Sequence, residues 1–403
     1  MKQTPFLEVI GTKDFLKIWG SQVFSQVTIN VVNFMIILRI FEATRSTVAI
    51  SLVWVFYAIP AILLGPFSGT IIDLFPKRRV LMVTTIAEAV IILCYLLVKQ
   101  QIWPIYSVIF MYSLVNQLYI PAEASTLPWT VEKRLLPAAN SLFLFTLYGS
   151  FLLGFGLAGP LVKFVGQELP FIIASFFLFS ASLLVSRLPD ERKEKKLKDI
   201  QAIWDQAKEG YSFIREHKTV LFPLLLLVFA QVGISILVIL APSFVTGFLG
   251  VDLRDAGPLF VFPLGFGAIL WVYGVNRLLL KGVRKKKLIS FGLGLAGILL
   301  LVLALFLPLL GAFRALAAAS VSFMLGVSVV SLLIPVQTLI QESTPEEFRG
   351  RVFGVLGFAI TLASILPVLL TATIADIIGV NYVLAIIAFL TLFVAFYSAK
   401  GIR

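Results

Sequence analysis

Long apolar runs separated by short polar segments dominate this chain of 403 residues. A run of about 20 apolar residues is long enough to cross the hydrocarbon core of a bilayer as a helix. These runs lack the alternation of barrel strands, so we predict an all-α membrane protein with twelve transmembrane helices. The predicted helices cover residues 14–41, 46–73, 80–98, 104–128, 138–164, 170–187, 219–247, 256–280, 286–307, 312–341, 350–376 and 382–399.

The longest polar stretch, residues 187–218, divides the predicted helices six and six. We therefore predict an N-terminal six-helix half over residues 1–187, a cytoplasmic linker over residues 188–218 and a C-terminal six-helix half over residues 219–403. The linker begins with a solvated charge run and then shows apolar residues at intervals of four, four and three. That spacing predicts a short amphipathic helix, whose apolar face comprises Ile203, Ala207, Tyr211 and Ile214.

Composition supports a membrane protein, because 59% of the residues are hydrophobic and only 13% are charged. Soluble globular chains carry about 25% charged residues. The formal net charge of +12 arises mainly from loops on one side of the predicted bundle, which hold 27 of the 33 Lys and Arg residues. This bias predicts that both termini are cytoplasmic and argues against a nucleic-acid partner.

The loop between the second and third predicted helices reads GTIIDLFPKRRVL over residues 69–81. It resembles the signature loop of the major facilitator superfamily, usually written G-x-L-A-D-R-x-G-R-K-x-x-L. Leu74 and Pro76 depart from that pattern, whereas the matching residues are Gly69, Asp73, Lys77, Arg78 and Leu81. The resemblance implies a cytoplasmic latch that holds the outward-facing state. We assign to this latch Gly69, Asp73, Lys77, Arg78, Arg79, Arg349 and Arg351.

The halves resemble each other weakly, and PKRRVL at 76–81 parallels RKKKLI at 284–289. A shift of 208 residues places Lys281 at the position of Asp73, so the second half lacks the acidic residue and any latch is asymmetric. Repeats related along the membrane normal are typical of transporters, whose substrate site lies between the halves near the midplane.

Two further stretches resemble one branch of this superfamily, the bacterial exporters that include macrolide-efflux, siderophore-export and lysophospholipid-transporter relatives. The first stretch, residues 119–142, matches P-A-x-x-A-x-x-P followed by A-N, and the second, residues 344–354, matches P-x-x-x-R-G-R-V. GSFLLGFGLAGP at 149–160 loosely resembles a Gly-Pro-rich antiporter motif, and its glycines predict close helix packing. The resemblance implies a multi-pass protein of the bacterial cytoplasmic (inner) membrane that acts in efflux.

We therefore predict a secondary active transporter that alternates access and exports lipophilic or amphipathic small molecules, as a multidrug antiporter, in exchange for protons. A lysophospholipid translocator and a non-transporting membrane receptor or scaffold are the alternatives. The sequence shows no Ser/His/Asp set, metal-ligand cluster or phosphate-binding loop, so we predict no enzyme activity and no cofactor. The expected partners are the substrate, membrane lipids and protons, and the expected oligomeric state is a monomer.

Polar side chains form stripes on the first and fourth predicted helices, which line the central cavity in this superfamily. On the first helix, four amides spaced four, four and three residues apart fall within an arc of roughly 80°. Such stripes face water or substrate, although single polar residues in membranes also join helices. The predicted substrate-binding residues are Gln22, Gln26, Asn30, Asn33, Tyr112, Asn116, Tyr119, Gln231 and Gln337.

Ionisable residues inside membrane spans are functional candidates by default, because burying charge in the bilayer is costly. Our candidates for proton coupling are Glu88, Glu123 and Asp376. The alternative for Glu88 is a structural hydrogen bond, and the alternative for Glu123 is an ion pair with basic residues at 77–79 or 133–134. Arg39 and Asp376 lie near the outer ends of their helices and are expected to reach water.

Overall fold

A computed structural model describes residues 5–98, 101–189, 200–306, 310–311 and 313–401. The described residues form α-helices and short 3-10 or π-helical segments without a β-strand. The α-helices are α1 (Pro5–Ile10), α2 (Lys13–Thr44), α3 (Thr47–Asp73), α4 (Lys77–Leu97), α5 (Ile102–Thr130), α6 (Leu136–Val165), α7 (Leu169–Ser186), α8 (Ile200–Glu216), α9 (Lys218–Ser243), α10 (Phe262–Leu280), α11 (Lys285–Leu301), α12 (Arg314–Ser343), α13 (Glu346–Ile378) and α14 (Val380–Gly401).

Twelve helical stretches among the described residues are long and apolar enough to cross a membrane, which confirms the predicted number. They contain every helix except α1 and α8. Several helices are extended by short segments of different winding, such as the 3-10 turn Lys133–Leu135 before α6 and the π-helical turn Phe244–Phe248 after α9. The predicted helices and the observed ones therefore differ mainly at their ends.

Contacts divide the chain into two compact units. The first unit comprises Met1–Ala43 and Val53–Ile203, and the second comprises Thr44–Leu52 and Trp204–Arg403. In the first unit α4 packs against α5 and α7, and in the second α12 packs against α9, α10 and α11. The division into two six-helix halves joined by the linker 188–218 stays a prediction.

The linker helix α8 packs on the beginning of α13 within the second unit. Gly210 is buried, and a Cβ atom built on it would lie 3.0 Å from the Cβ of Arg351. The rings of Phe213 and Phe348 stack with centroids 4.6 Å apart, and Ile214 is buried in the core of this unit. Tyr211, which was also predicted on the apolar face, is 60% exposed, and the amphipathic face as a whole stays a prediction.

The close approach of α8 to α13 is possible because Gly210 has no side chain. The side chains of Ile203 and Ala207 and the predicted charge run at 190–199 lie outside the described residues.

The glycines of α6 were predicted to allow close helix packing, and one of them, Gly154, does so. A Cβ atom on Gly154 would lie 2.4 Å from the Cβ of Asn30, so α2 and α6 approach closely only because residue 154 lacks a side chain. At Gly149, on the same helix, a Cβ atom would meet nothing within 4 Å.

Candidate functional site

Glu88 of α4 is completely buried in the first unit and hydrogen-bonded to a neighbouring helix. Asn116 of α5 donates from Nδ2 to Oε1 of Glu88 at 3.0 Å. Tyr57 of α3 donates its hydroxyl to Oδ1 of Asn116, also at 3.0 Å. The second carboxyl oxygen, Oε2 of Glu88, is buried without a hydrogen-bond partner. The three side chains form a polar cluster that joins α3, α4 and α5.

No basic side chain in the described ranges lies within ion-pair distance of Glu88. An ionised carboxylate that is buried away from a cation carries a large desolvation cost. Gain or loss of one proton at Glu88 therefore changes the electrostatic energy of the bundle substantially. This is the chemical property that a proton-exchanging site requires.

A second buried cluster lies further along α5. The hydroxyl of Tyr119 donates to Oε1 of Glu123 at 2.7 Å, and Oγ of Ser25 on α2 lies 3.1 Å from the same hydroxyl. Glu123 forms no ion pair within the part of the chain that the structure describes. The alternative that pairs it with the basic residues at 77–79 or 133–134 is therefore wrong for this structure.

Two of the basic residues considered as partners of Glu123 pair with other acids. Lys77 pairs with Asp73, and Arg134 pairs with Glu8 and Glu132. Among the described residues, the partner of Glu123 is therefore the uncharged hydroxyl of Tyr119.

The amides of α2 do not share one environment. Gln22 is buried and donates to the carbonyl oxygen of Phe143 on α6 at 3.4 Å. Asn30 donates to the carbonyl oxygen of Gln26 at 2.8 Å and packs against α6, whereas Gln26 and Asn33 are half-buried. Two of the four amides thus contribute to helix packing, and substrate contact at this stripe stays a prediction.

On α5, Tyr112 is buried like Asn116 and Tyr119, so its predicted contact with substrate also stays a prediction. In the second unit Gln231 of α9 and Gln337 of α12 are half-buried. Neither observation tests a role in binding.

Asp376 of α13 caps the N-terminal end of α3. Its Oδ1 accepts the backbone N–H of Thr47 at 2.9 Å, and its Oδ2 accepts the hydroxyl of Ser46 at 2.7 Å and the backbone N–H of Val48 at 3.2 Å. A carboxylate at a helix N-terminus satisfies orphan N–H groups and interacts favourably with the helix dipole. Asp376 is exposed, as predicted.

Arg39 does not reach water as predicted, because it is only 8% exposed. Its guanidinium donates to the carbonyl oxygen of Tyr95 at 2.7 Å and lies 4.8 Å from the ring centre of Phe171. A backbone carbonyl and an aromatic face together replace part of the water that a charged side chain loses on burial.

The predicted latch residues have local partners within each unit. Asp73 pairs with Lys77, which also donates to the carbonyl oxygen of Ile72 at 3.2 Å. A Cβ atom on Gly69 would meet nothing within 4 Å, so close helix packing is not the reason for glycine there. The latch itself stays a prediction.

Other basic residues assigned to the latch also contact neighbouring groups. Arg78 donates to the carbonyl oxygen of Leu188 at 3.0 Å, whereas Arg79 is exposed. In the second unit Arg349 donates to the carbonyl oxygen of Thr344 at 3.3 Å, and Arg351 pairs with Glu209 of α8 at 2.5 Å.

Tyr57 and Ser25 complete the two buried clusters, and neither was among the residues predicted from the sequence. Tyr57 bears a hydroxyl group in an otherwise apolar run. Because buried tyrosine hydroxyls usually find a hydrogen-bond partner, its residue type alone indicated that it contacts another polar group. Ser25 lies between Gln22 and Gln26 and belongs to a different face of α2.

The sequence from residue 18 to residue 368 matches the family model of the Major Facilitator Superfamily. This chain belongs to the Major Facilitator Superfamily. It is a multi-pass membrane transporter without enzyme activity, as predicted.

Members of the superfamily with bacterial sources are similar over nearly the full chain. An uncharacterized MFS-type transporter, YfiS of Bacillus subtilis, is 26% identical over 381 residues, covering 90% of this chain and 87% of the relative. Macrolide efflux protein A of Streptococcus pyogenes is 24% identical over 385 residues, covering 91% of each chain. These relatives agree with the exporter branch that the sequence motifs indicated.

Solved transporters share the fold. The nucleoside transporter NupG has a TM-score of 0.76 at 10% identity, and the likeness covers 96% of this chain and 99% of that transporter. The POT family transporter PepTSo has a TM-score of 0.73 at 13% identity, over 96% of this chain and 97% of that transporter. At such low identity the likeness concerns the fold alone.

Proposed function

We propose that this transporter exports lipophilic or amphipathic small molecules in exchange for protons, and that Glu88 binds the exchanged proton. The observation that carries the proposal is the burial of Glu88 in α4 with an amide as its partner and no cation beside it among the described residues. The similarity to macrolide efflux protein A supports efflux of a large, largely apolar compound.

In this mechanism Asn116, which accepts a hydrogen bond from Tyr57, holds Glu88 in place by donating to its Oε1. The remaining oxygen of the carboxyl group is available to the proton. Substrate binding and proton binding exclude each other, so each drives the release of the other. Amide and tyrosine side chains of α2 and α5 recognise polar groups of the substrate by hydrogen bonds. Amides donate and accept hydrogen bonds but do not exchange protons near neutral pH, so the proton is assigned to Glu88 instead.

The two six-helix halves alternate access to the site by rocking, with both termini in the cytoplasm. The loop that contains Asp73 and Lys77 stabilises the outward-facing state from the cytoplasmic side. This role rests on the resemblance to the superfamily's signature loop.

Transport by purified protein in liposomes separates this function from its alternatives. The assay offers a panel of macrolides, lipophilic dyes and lysophospholipids, with an imposed pH gradient and with the gradient collapsed by a protonophore. We expect a macrolide or dye to move only when the gradient is present. Movement of lysophospholipid that is indifferent to the gradient would replace the antiporter by a lipid translocator. Absence of movement across the panel would favour a receptor or scaffold.

A further inference from the structure

A cavity of about 1130 Å³ opens in the second unit where α10 ends, α11 begins and α12 ends. Cations, a carboxylate and apolar side chains all line this space. The lining residues that matter here are Leu280, Arg284, Lys285, Lys286, Leu339 and Glu342. The cavity is distinct from the buried clusters of the first unit.

The side chains that the structure describes at this cavity carry more positive than negative charge. Lys285 pairs with Glu342, so these two residues contribute no net charge. Arg284 and Lys286 form no ion pair with any residue that the structure describes. Among the described residues, therefore, no acid balances these two positive charges at the cavity wall.

The corresponding turn of the first unit carries an acid that the second unit lacks. There Asp73 pairs with Lys77 at the beginning of α4. In the parallel segment of the second half, Lys281 occupies the position of Asp73. The latch resemblance thus concerns the charges at 73–79 and does not extend to those at 281–287, for which only the charge bias of the loops has been considered.

Apolar surface adjoins the unbalanced cations. Leu280, the last residue of α10, is 89% exposed and lines the same cavity as Arg284 and Lys286. A phospholipid presents this same combination, with an anionic phosphate next to acyl chains. Basic pockets between transmembrane helices on the cytoplasmic side are known to bind anionic lipid headgroups.

We infer that this cavity binds the phosphate-bearing headgroup of an anionic membrane lipid. Arg284 and Lys286 contact the phosphate, and Leu280 contacts the adjoining acyl chain. The charge bias of the loops puts this end of the second unit in the cytoplasmic leaflet. The site is separate from substrate transport, so the proposed function can fail while this inference holds.

Thermal stability of the purified protein tests the site. The protein in detergent is titrated with phosphatidylglycerol, with phosphatidylcholine and with inorganic phosphate, each in a separate series. We compare wild type with the double variant Arg284→Gln/Lys286→Gln. The matched control is Lys281→Gln/Lys287→Gln, which removes the same charge from exposed positions that do not line the cavity.

We expect phosphatidylglycerol, but not phosphatidylcholine, to raise the melting temperature of wild type. The cavity variant should need at least about fivefold more phosphatidylglycerol for half of the effect, whereas the control should stay close to wild type. Equal losses in both double variants, or no preference for phosphatidylglycerol, would overturn the site. Stabilisation by inorganic phosphate at the same cations without a response to lipid would overturn the lipid assignment.

Discussion

The contact between Asn30 and Gly154 shows how one residue sets the distance between two helices. Built on Gly154, a Cβ atom would lie 2.4 Å from the Cβ of Asn30 and 2.9 Å from its carbonyl carbon. Real Cβ atoms do not approach this closely, and backbone atoms cannot rotate away as a side chain does. The glycine therefore fixes the position of the amide-bearing face of α2 relative to α6.

Gly154→Ala should consequently lower the thermal stability of the purified protein. Overpacking typically costs about 1–3 kcal/mol, more than the roughly 1 kcal/mol that alanine gains over glycine in a helix. Gly149→Ala on the same helix is the control and should leave the melting temperature unchanged or raise it, because a Cβ atom there meets nothing within 4 Å. Equal melting temperatures for the two variants would contradict this packing argument.

At the residue scale, the sequence singled out Glu88 as a candidate for proton coupling because a lone carboxyl group in an apolar run is conspicuous. It missed the partners, since Asn116 and Tyr57 lie on other helices and meet Glu88 only after three helices pack. The prediction for Arg39 was wrong for the same reason. Its buried environment depends on Tyr95 and Phe171, which are distant in sequence.

At the scale of elements, twelve membrane spans could be predicted because bilayer thickness imposes a long apolar run on every helix. A helix was also predicted in the linker, and of its predicted apolar face Ile214 is buried whereas Tyr211 is exposed. The apolar spacing gave no indication that Gly210 would make the close contact with Arg351. A small residue at a helix contact carries no hydrophobic signal, so the pattern alone does not reveal such a contact.

The contact of α8 with α13 also gives the linker a physical role. Arg351 pairs with Glu209, and its guanidinium lies 5.1 Å from the ring centre of Phe348, which in turn stacks on Phe213. These contacts bind α8 to the second unit. The resemblance assigned Arg351 to the latch, but it did not indicate this partner on the linker helix.

At the scale of the whole molecule, the latch predicts a shift between conformations when its acid is neutralised. Asp73→Asn should weaken the pairing with Lys77 and raise the inward-facing population. Distances between spin labels on the two halves, measured by pulsed electron paramagnetic resonance, report that population. Asp14→Asn, which removes a similar local pair with Lys17, is the control. Unchanged distance distributions for Asp73→Asn would contradict the latch.

The central claim of proton exchange at Glu88 is tested most directly by the response of Glu88→Gln to a pH gradient in liposomes. Glutamine keeps an acceptor for Asn116 but cannot exchange a proton. We expect this variant to lose gradient-driven transport while substrate-for-substrate exchange continues. Glu132→Gln, which changes an exposed residue, should behave like wild type. Full gradient-driven transport by Glu88→Gln would contradict the account.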